Sequence, residues 1–378
     1  IENHGLFEIG VCLPQSEKTK QFIAFAVKNL EVQVRMQIMP DGVHWEQSPM
    51  YHNEVLHCLL DVILLAKRNG IALPDVILRQ TEKMAMADVA WLKPDHHIVM
   101  MGDSDDVDVR DRISVAAYLF LNPVLRFGGF DRLDYESIWD LGMKAGEEYA
   151  VMERRKPDFT SLFLEHSGNT YFRSDWSERA NFLHLHSGTM GAGHGHSDKL
   201  HIDLVVNGED VLMDGGRYTY VSGPKRFSYK DPSGHNTITV DDLPFTVCKD
   251  SWECSKLSQP VKENFRCTKL AEFAQAGQLG YMDLPGGVYV NRKGVYIKPD
   301  LYILVDEMYT GDCHTYQQYF HFNNHGAVTL TAPGEKKFPC VAYRGKMAEA
   351  DFYFVSAQVK AELKRGHIAR HYNVEEEN

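Results

Sequence analysis

Two hydrophobic rhythms divide the chain. Up to about residue 155, apolar positions recur at helical spacing. Residues 21–39 form the first such stretch, stopped by Pro40-Asp41-Gly42, and residues 51–67 the second, ended by Asn69-Gly70. Pro74 starts a third that passes Met84 and Met86 to residue 92. A fourth runs over 110–121 to a stop at Asn122-Pro123, and a fifth over 135–152. Successive helices on short loops make antiparallel hairpins, the unit of a bundle or toroid, and their Met, Leu and Trp positions are expected in its core. Residues 153–157 read as a linker. Beyond it β-branched and aromatic residues dominate, in short runs between turn signals: 161–165, 182–186, 237–240, 288–290, 302–305, 316–322, 327–331 and 351–355. Antiparallel hairpin signals favour a β-sandwich over a parallel α/β sheet. The acidic tail, 375–378, reads as a frayed end.

One hairpin gathers chemistry. Leu200, Ile202, Leu204 and Val206 alternate with Lys199, His201 and Asp203, the period-2 pattern of a half-buried strand. Asn207-Gly208 is a hairpin turn signal, and the return strand, 211–213, delivers Asp214 just before Gly215-Gly216. The Gly-rich approach carries His194 and His196, which share a face if the backbone is extended. His235 follows in a Gly-His-Asn-Thr stretch. Zinc takes imidazole nitrogen and carboxylate oxygen, so His196, Asp214 and His235 can supply three ligands of one ion. His194 is then left for substrate. Asp198 and His201 are rival ligands that spacing does not exclude, and Asp198 could instead orient a histidine from behind.

At 378 residues the chain exceeds one ordinary core, so two domains are expected, 1–155 and 156–378. No apolar run is long enough to span a bilayer. The net charge of -12 argues against nucleic acid or an anionic membrane as partner, yet allows an anionic substrate where positive charge is concentrated. Seven scattered cysteines with no CxxC pair argue against a disulfide scaffold and for a reducing, cytoplasmic setting, with periplasmic or secreted placement left open. The chain opens on Ile1, not Met, directly before Asn3-His4, so a preceding segment of a longer polypeptide is expected.

Three clusters stand out in the helical half. Asn3-His4-Gly5 is polar and Gly-marked. The loop 41–52 holds His44, Trp45, Glu46, Tyr51 and His52, with Ser48-Pro49 as a helix N-cap and first-turn pair that puts Tyr51 in the first turn. Gly102-Asp103-Ser104-Asp105-Asp106 reads as a solvated capping loop. In the β half, Arg217, Lys225, Arg226 and Lys230 lie between Asp214 and His235, and Arg173 stands before Trp176. On an acidic protein such a group reads as a docking surface for an anionic ligand.

Taken together, the Gly-His-Gly-His-Ser-Asp run, the strand ending at Asp214-Gly215-Gly216, Tyr218-Thr219-Tyr220 and His235-Asn236-Thr237 resemble the C-terminal β-domain of the heparinase II/III-like polysaccharide lyases. Asn3-His4-Gly5, the run from Glu46 to His52 and Gly102-Asp103-Ser104-Asp105 resemble that family's helical motifs, in the same order. The resemblance covers nearly the whole chain. It implies an α+β multidomain fold: an (α/α) toroid, its first helices missing here, then an antiparallel β-sandwich, with the active site between them. It departs at Lys230-Asp231-Pro232, where many relatives carry Arg-Ser-Thr, and in its acidity. The implied activity is β-elimination on a uronic-acid-containing glycan. Asn3 and His194 would neutralise the uronate carboxylate, Tyr51 would act as acid and base, and His4 would be the base for the other C5 epimer. Tyr229 would be a further tyrosine at the substrate. A phenol titrates near pH 10, so base work needs cationic neighbours. Glu46, Arg173, Trp176, Arg217 and Tyr220 are the expected substrate contacts, and one Zn2+ on His196, Asp214 and His235 is implied as structural or orienting.

The expected partner is an anionic poly- or oligosaccharide of glycosaminoglycan type, a short one handled near its end more than a long heparin chain; a homodimer stays open. An alginate lyase of the same architecture, a zinc hydrolase and a non-catalytic sugar-binding module are the rival readings.

Overall fold

The computed structural model describes residues 1–331, 338–356 and 359–378, with the backbone alone described at 262 and 263. The chain divides into two units, one of Ile1–Leu92 with Val107–Asp158, the other of Lys93–Asp106 with Phe159–Asn378.

The first unit is helical: α1 (Glu2–Cys12), α2 (Glu17–Gln37), α3 (Pro49–Arg68), α4 (Asp75–Trp91), α5 (Arg110–Phe120), α6 (Pro123–Gly128), α7 (Tyr135–Leu141) and α8 (Met143–Ala150). Helix α2 begins at a capping box in which Ser16 Oγ accepts from Thr19 N at 3.2 Å and Ser16 N donates to Thr19 Oγ1 at 2.8 Å. The expected helices at 21–39, 51–67, 74–92 and 110–121 lie on α2 to α5, each within a few residues. Helix α1 was not expected, because Asn-His-Gly reads as loop; its Gly10 lets α2 approach so closely that a Cβ there would lie 2.7 Å from Ile23 Cγ1. The expected stop at Asn122-Pro123 also starts α6, since Asn122 Oδ1 accepts from Val124 N and Leu125 N. The single helix expected over 135–152 is two, broken at Gly142, whose φ is 95°. Leu56, Leu59 and Val62 of α3, Ile77 and Met84 of α4 and Ile113 of α5 are all buried, each stabilising the unit by about 1.5–3 kcal/mol.

The second unit is built on antiparallel sheets. One is a meander of β1 (Leu162–Leu164), β2 (Asn169–Arg173), β3 (Phe182–His186), β4 (His201–Val206) and β5 (Glu209–Leu212). Helix α9 (Pro224–Lys230), β6 (Ile238–Val240), β7 (Val247–Cys248) and β8 (Cys254–Lys256) follow. A second sheet has the order β12 (Leu301–Thr310), β11 (Val288–Ile297), β10 (Ala271–Tyr281), β9 (Pro260–Cys267). Smaller pairings use β13 (Tyr316–Gln318) on β6, β14 (Ala327–Thr331), β15 (Cys340–Arg344) and β16 (Glu349–Tyr353) together, and β17 (His367–His371) on β18 (Val374–Glu377). The acidic tail is thus a paired strand, not a frayed end.

Strand β4 differs from its expected half-buried state: it is interior, and both faces are covered. One face gives Ile202 and Leu204 to a core shared with Phe172, Leu183, Val290 and Tyr296. The other carries a polar ladder, because Asn169, His186 and His201 are register partners and Tyr171, His184 and Asp203 are the next set on the same face. Buried Arg292 of β11 reaches the chain at the start of β4: it donates to Leu200 O at 2.5 Å and to Asn236 O at 2.7 Å, and pairs with Asp306 of β12 at 2.7 and 2.8 Å. Among the described residues no helix is long and apolar enough to cross a membrane.

Candidate active site

In the β unit the Gly-rich approach is compact because glycine alone fits it. A Cβ on Gly195 would lie 1.6 Å from Met190 O. The segment Lys93–Asp106 supplies the anchor that the sequence hid. Asp103 N donates to His194 O at 2.8 Å, and the Asp103 carboxylate accepts from three side chains: His194 Nδ1 at 3.1 Å, His196 Nε2 at 2.8 Å and both terminal nitrogens of Arg226 at 2.6 and 2.8 Å. Burial alone would raise this carboxyl, but the facing His196, the bonds from both histidines and the Arg226 guanidinium hold it far below the usual range. Asp103 is therefore a buried carboxylate, not a solvated loop charge. Asp105 likewise pairs with Arg217 at 2.6 and 2.9 Å, and Asp106 with Lys93 at 3.3 Å.

His196 is fully buried, and burial keeps its pKa down near 3, so the ring is neutral. Asp103 accepts a hydrogen bond from Nε2–H, which leaves the Nδ1 lone pair with no hydrogen-bond partner. His235 is the mirror case: Nδ1 donates to Asp214 Oδ2 at 2.7 Å and buried Nε2 has no partner. His196, Asp214 and His235 offer donor atoms within 4.8 Å of one another. Two stranded imidazole nitrogens beside a carboxylate fit a borderline metal such as zinc, with Asp103 fixing one ligand's tautomer from behind. The rivals are otherwise engaged. His201 Nε2 bonds Asp203 at 3.1 Å and its Nδ1 accepts from Asn236 N at 3.0 Å, while Asp198 faces His186 at 3.5 Å.

His194 keeps about 20% of its side chain exposed and lies in an aromatic group. Trp252 stands edge-on to it at 5.2 Å, Tyr220 at 5.9 Å, and Tyr372 packs on Tyr220 at 5.3 Å. Neither Trp252 nor Tyr372 carried a sequence signal, since Trp252 meets His194 and Tyr372 meets Tyr220 only through tertiary folding. The basic residues do not form the expected open docking surface. Arg226 and Arg217 are spent on Asp103 and Asp105, Lys230 donates to Gly193 O and Gly195 O at 2.7 Å, and Lys225 pairs with Glu375. Arg173 and Trp176 lie apart from this group. Arg173 ends β2 beside Phe182, four residues along the strand from Asn169, buried, with its guanidinium over Trp176 at 4.2 Å. Tyr229 is buried too; its hydroxyl donates to Glu375 Oε1 at 2.5 Å, and burial, then that bond, push its pKa well up.

In the helical unit Ser48 and Pro49 open α3 as expected, although Ser48 makes no side-chain cap bond. Tyr51 is half-buried in the first turn. That turn is pinned by its neighbours: His52 Nδ1 accepts from His44 N, His52 Nε2 bonds Met84 O of α4, and Asn53 donates to Asp88 at 2.9 Å. Burial pushes the Asp88 carboxyl up to about 8. Glu46 is half-buried in the preceding loop. Asn3 lies in α1, its Oδ1 accepting from Asn29 at 3.4 Å. His4 is oriented otherwise: its Nε2 lies 3.4 Å from Asp61 and 3.6 Å from Glu8. Bonds to Asp61 and then Cys58 push its pKa up to about 10. Such an imidazolium has no lone pair with which to take a proton, which weighs against the expected base role. His4, Glu8 and Asp61 also offer three donor atoms within 4.8 Å of one another, and His4 Nε2 has no hydrogen-bond partner of ordinary geometry; with both carboxylates within 3.6 Å of a charged ring, they read as an ion-pair cluster.

A helical unit followed by antiparallel sheets around a buried His–Asp–His group defines the class, and comparison with known proteins gives the family. The model described as "Heparinase II/III-like, C-terminal" matches residues 156–378, and that for the heparinase II/III N-terminus matches 1–123. The chain belongs to the heparinase II/III-like family. It is 26% identical over 271 residues to a heparin-sulfate lyase of Pedobacter heparinus, covering 66% of this chain and 38% of that protein. A heparin-sulfate lyase of Bacteroides thetaiotaomicron is 22% identical over 325 residues, 80% of this chain and 43% of that protein. The chain thus spans less than half the length of these relatives. A crystal structure of a heparan sulfate lyase mutant from Pedobacter heparinus superposes with a TM-score of 0.80 at 18% identity, over 100% of this chain and 55% of that one. A heparinase III structure gives 0.82 at 17% identity, over 100% and 54%. These likenesses show the fold.

Proposed function

We propose that the chain carries the β-elimination chemistry of a glycosaminoglycan lyase of the heparan sulfate type, on a helical toroid and a β-sandwich. The reading rests on one observation above the others: both family models fall on this chain, over residues 156–378 and 1–123. The two relatives named above are heparin-sulfate lyases, which favours this substrate class over alginate, and elimination over hydrolysis.

In the proposed reaction a base removes the C5 proton of the uronate, the electron pair forms the C4–C5 double bond, and the C4–oxygen bond breaks as that oxygen is protonated. Tyr51 takes the proton and returns it to the leaving oxygen. The Asn3 amide donates to the uronate carboxylate as it gathers charge, with His194 beside that carboxylate, its ring set by Asp103. His4 and Tyr229 have no part in this scheme, because each is committed to carboxylates. A metal on His196, Asp214 and His235 would supply a fixed positive charge that holds the Gly-rich approach in place; elimination consumes no water, so no activated hydroxide is needed.

The test is product chemistry with full-length protein. Heparan sulfate is expected to yield fragments with new ultraviolet absorbance from a double bond conjugated to the carboxylate. Saturated fragments would mean a hydrolase, and an intact polymer a binder. For the metal, one zinc-like ion per chain is expected by elemental analysis. It is lost in the His196→Ala, His235→Ala double variant and kept in His194→Ala; full occupancy in the double variant rejects the assignment.

A further inference from the structure

Strands β7 and β8 form a two-stranded ribbon in which Cys248 and Cys254 are register partners. Their sulfurs are 3.0 Å apart, about 1 Å beyond a disulfide bond. Both residues are half-buried, so a small reagent can reach them. The ribbon's turn is ordered by Asp250, whose Oδ1 accepts from Trp252 N at 2.7 Å and Glu253 N at 2.8 Å. Its tip is tied down by Ser251, which donates from Oγ to Tyr220 O at 2.7 Å and from N to Ser222 Oγ at 2.9 Å.

The ribbon also walls the Gly-rich approach. Beside its turn Cys254 Sγ lies 3.6 Å from Met190 Sδ. Along its side Trp252 lies so near Gly193 that a Cβ there would be 3.0 Å from the indole. The same indole stands 5.2 Å from His194 and 5.1 Å from Tyr220. What holds the ribbon therefore holds the surroundings of His194.

We propose that Cys248 and Cys254 are an oxidation site: a low-molecular-weight disulfide converts the two thiols into an intramolecular disulfide that fixes the Trp252 ribbon against His194. The exchange balances. One thiolate of the pair attacks one sulfur of the reagent and expels the other as a thiolate, leaving a mixed disulfide. The second cysteine then gives up its proton and displaces the remaining reagent thiolate, so two protein thiols become one disulfide and one reagent disulfide becomes two thiols. The 3.0 Å contact puts each sulfur within reach of a mixed disulfide on the other.

Closure of the pair is independent of the lyase reading; only its effect on turnover rests on that reading. Reduced full-length protein is equilibrated with oxidised glutathione, remaining thiols are trapped, and peptides are mapped by mass. The expected product is a 248–254 cross-link two hydrogens lighter than the dithiol. Cys248→Ser should hold a glutathione adduct at position 254, and Cys254→Ser should hold one at position 248, neither going on to a cross-link. Separate adducts on both cysteines of the unmodified chain, or two unreacted thiols, would overturn the proposal. Hydrogen exchange in residues 247–256 should slow about tenfold on oxidation; unchanged exchange overturns the bracing of the ribbon. On heparan sulfate oligosaccharides the oxidised form should show a severalfold lower KM at similar kcat, a shift absent in Cys248→Ser. Identical KM in both states overturns the link to His194, whereas no elimination in either state defeats the lyase reading and leaves the cross-link standing.

Discussion

Replacing Tyr51 by Phe is expected to lower turnover of heparan sulfate by about 10²–10⁴-fold, the usual share of a positioned acid–base group, while the protein stays folded. The fold should survive because the first turn of α3 is held by His52 and Asn53 through Met84, His44 and Asp88. Asn3→Ala should lose a further kind of help, the neutralising of the carboxylate, by about 10²–10³-fold. The two losses should not add fully, since both groups serve one transition state. The measurement is ultraviolet absorbance of the unsaturated product, with circular dichroism and thermal unfolding as controls. Near-normal turnover in folded Tyr51→Phe would remove Tyr51 from the chemistry.

The second large effect is expected at Asp103. Asp103→Asn keeps the shape but removes the charge, leaving the fully buried Arg226 guanidinium unpaired. Breaking a buried pair on one side destabilises by about 3–5 kcal/mol. Removing both charges together, Asp103→Asn with Arg226→Met, should recover much of that stability. Activity and metal content should not recover, because His194 and His196 would still lack their anchor, and loss of such a support weakens metal binding by about 10–100-fold. Denaturant unfolding, elemental analysis and the absorbance assay on the single and double variants separate the two roles. A double variant that regains turnover would show that Asp103 only balances Arg226.

The contrast between these residues shows where sequence reading stops. Helices α2 to α5 were legible because their apolar spacing is local and Pro or Gly marks their ends. The β4–β5 hairpin was legible from alternation and Asn207-Gly208, whose φ values of 50° and 82° suit a tight turn. The His196, Asp214 and His235 set was visible because a hairpin brings near neighbours in sequence together. Asp103 was not, since it meets His194 across 91 positions, and an acidic run before a helix has the same local pattern whether solvated or buried. The basic group misled for the same reason, since the carboxylates that meet Arg217, Lys225 and Arg226 lie far away along the chain. Cys248 and Cys254 are six apart, too far for a CxxC pattern yet opposed once β7 and β8 pair.

The path of the chain between its units bears on how such a protein can be cut and recombined. Lys93–Asp106 falls inside the stretch matched by the N-terminal family model, yet it is part of the β unit. Buried Lys93 meets Asp210 at 2.7 Å, and Met100 packs with Met213 and Ile368. A truncated chain beginning at Phe159 would therefore lack an internal piece of its own body, with Arg226 and Asp210 stranded. The β unit is not a portable cassette: a chimaera exchanged at the linker would join one parent's Asp103 to the other parent's histidines and arginine. Functional hybrids should arise only where residues 93–106 travel with the β half.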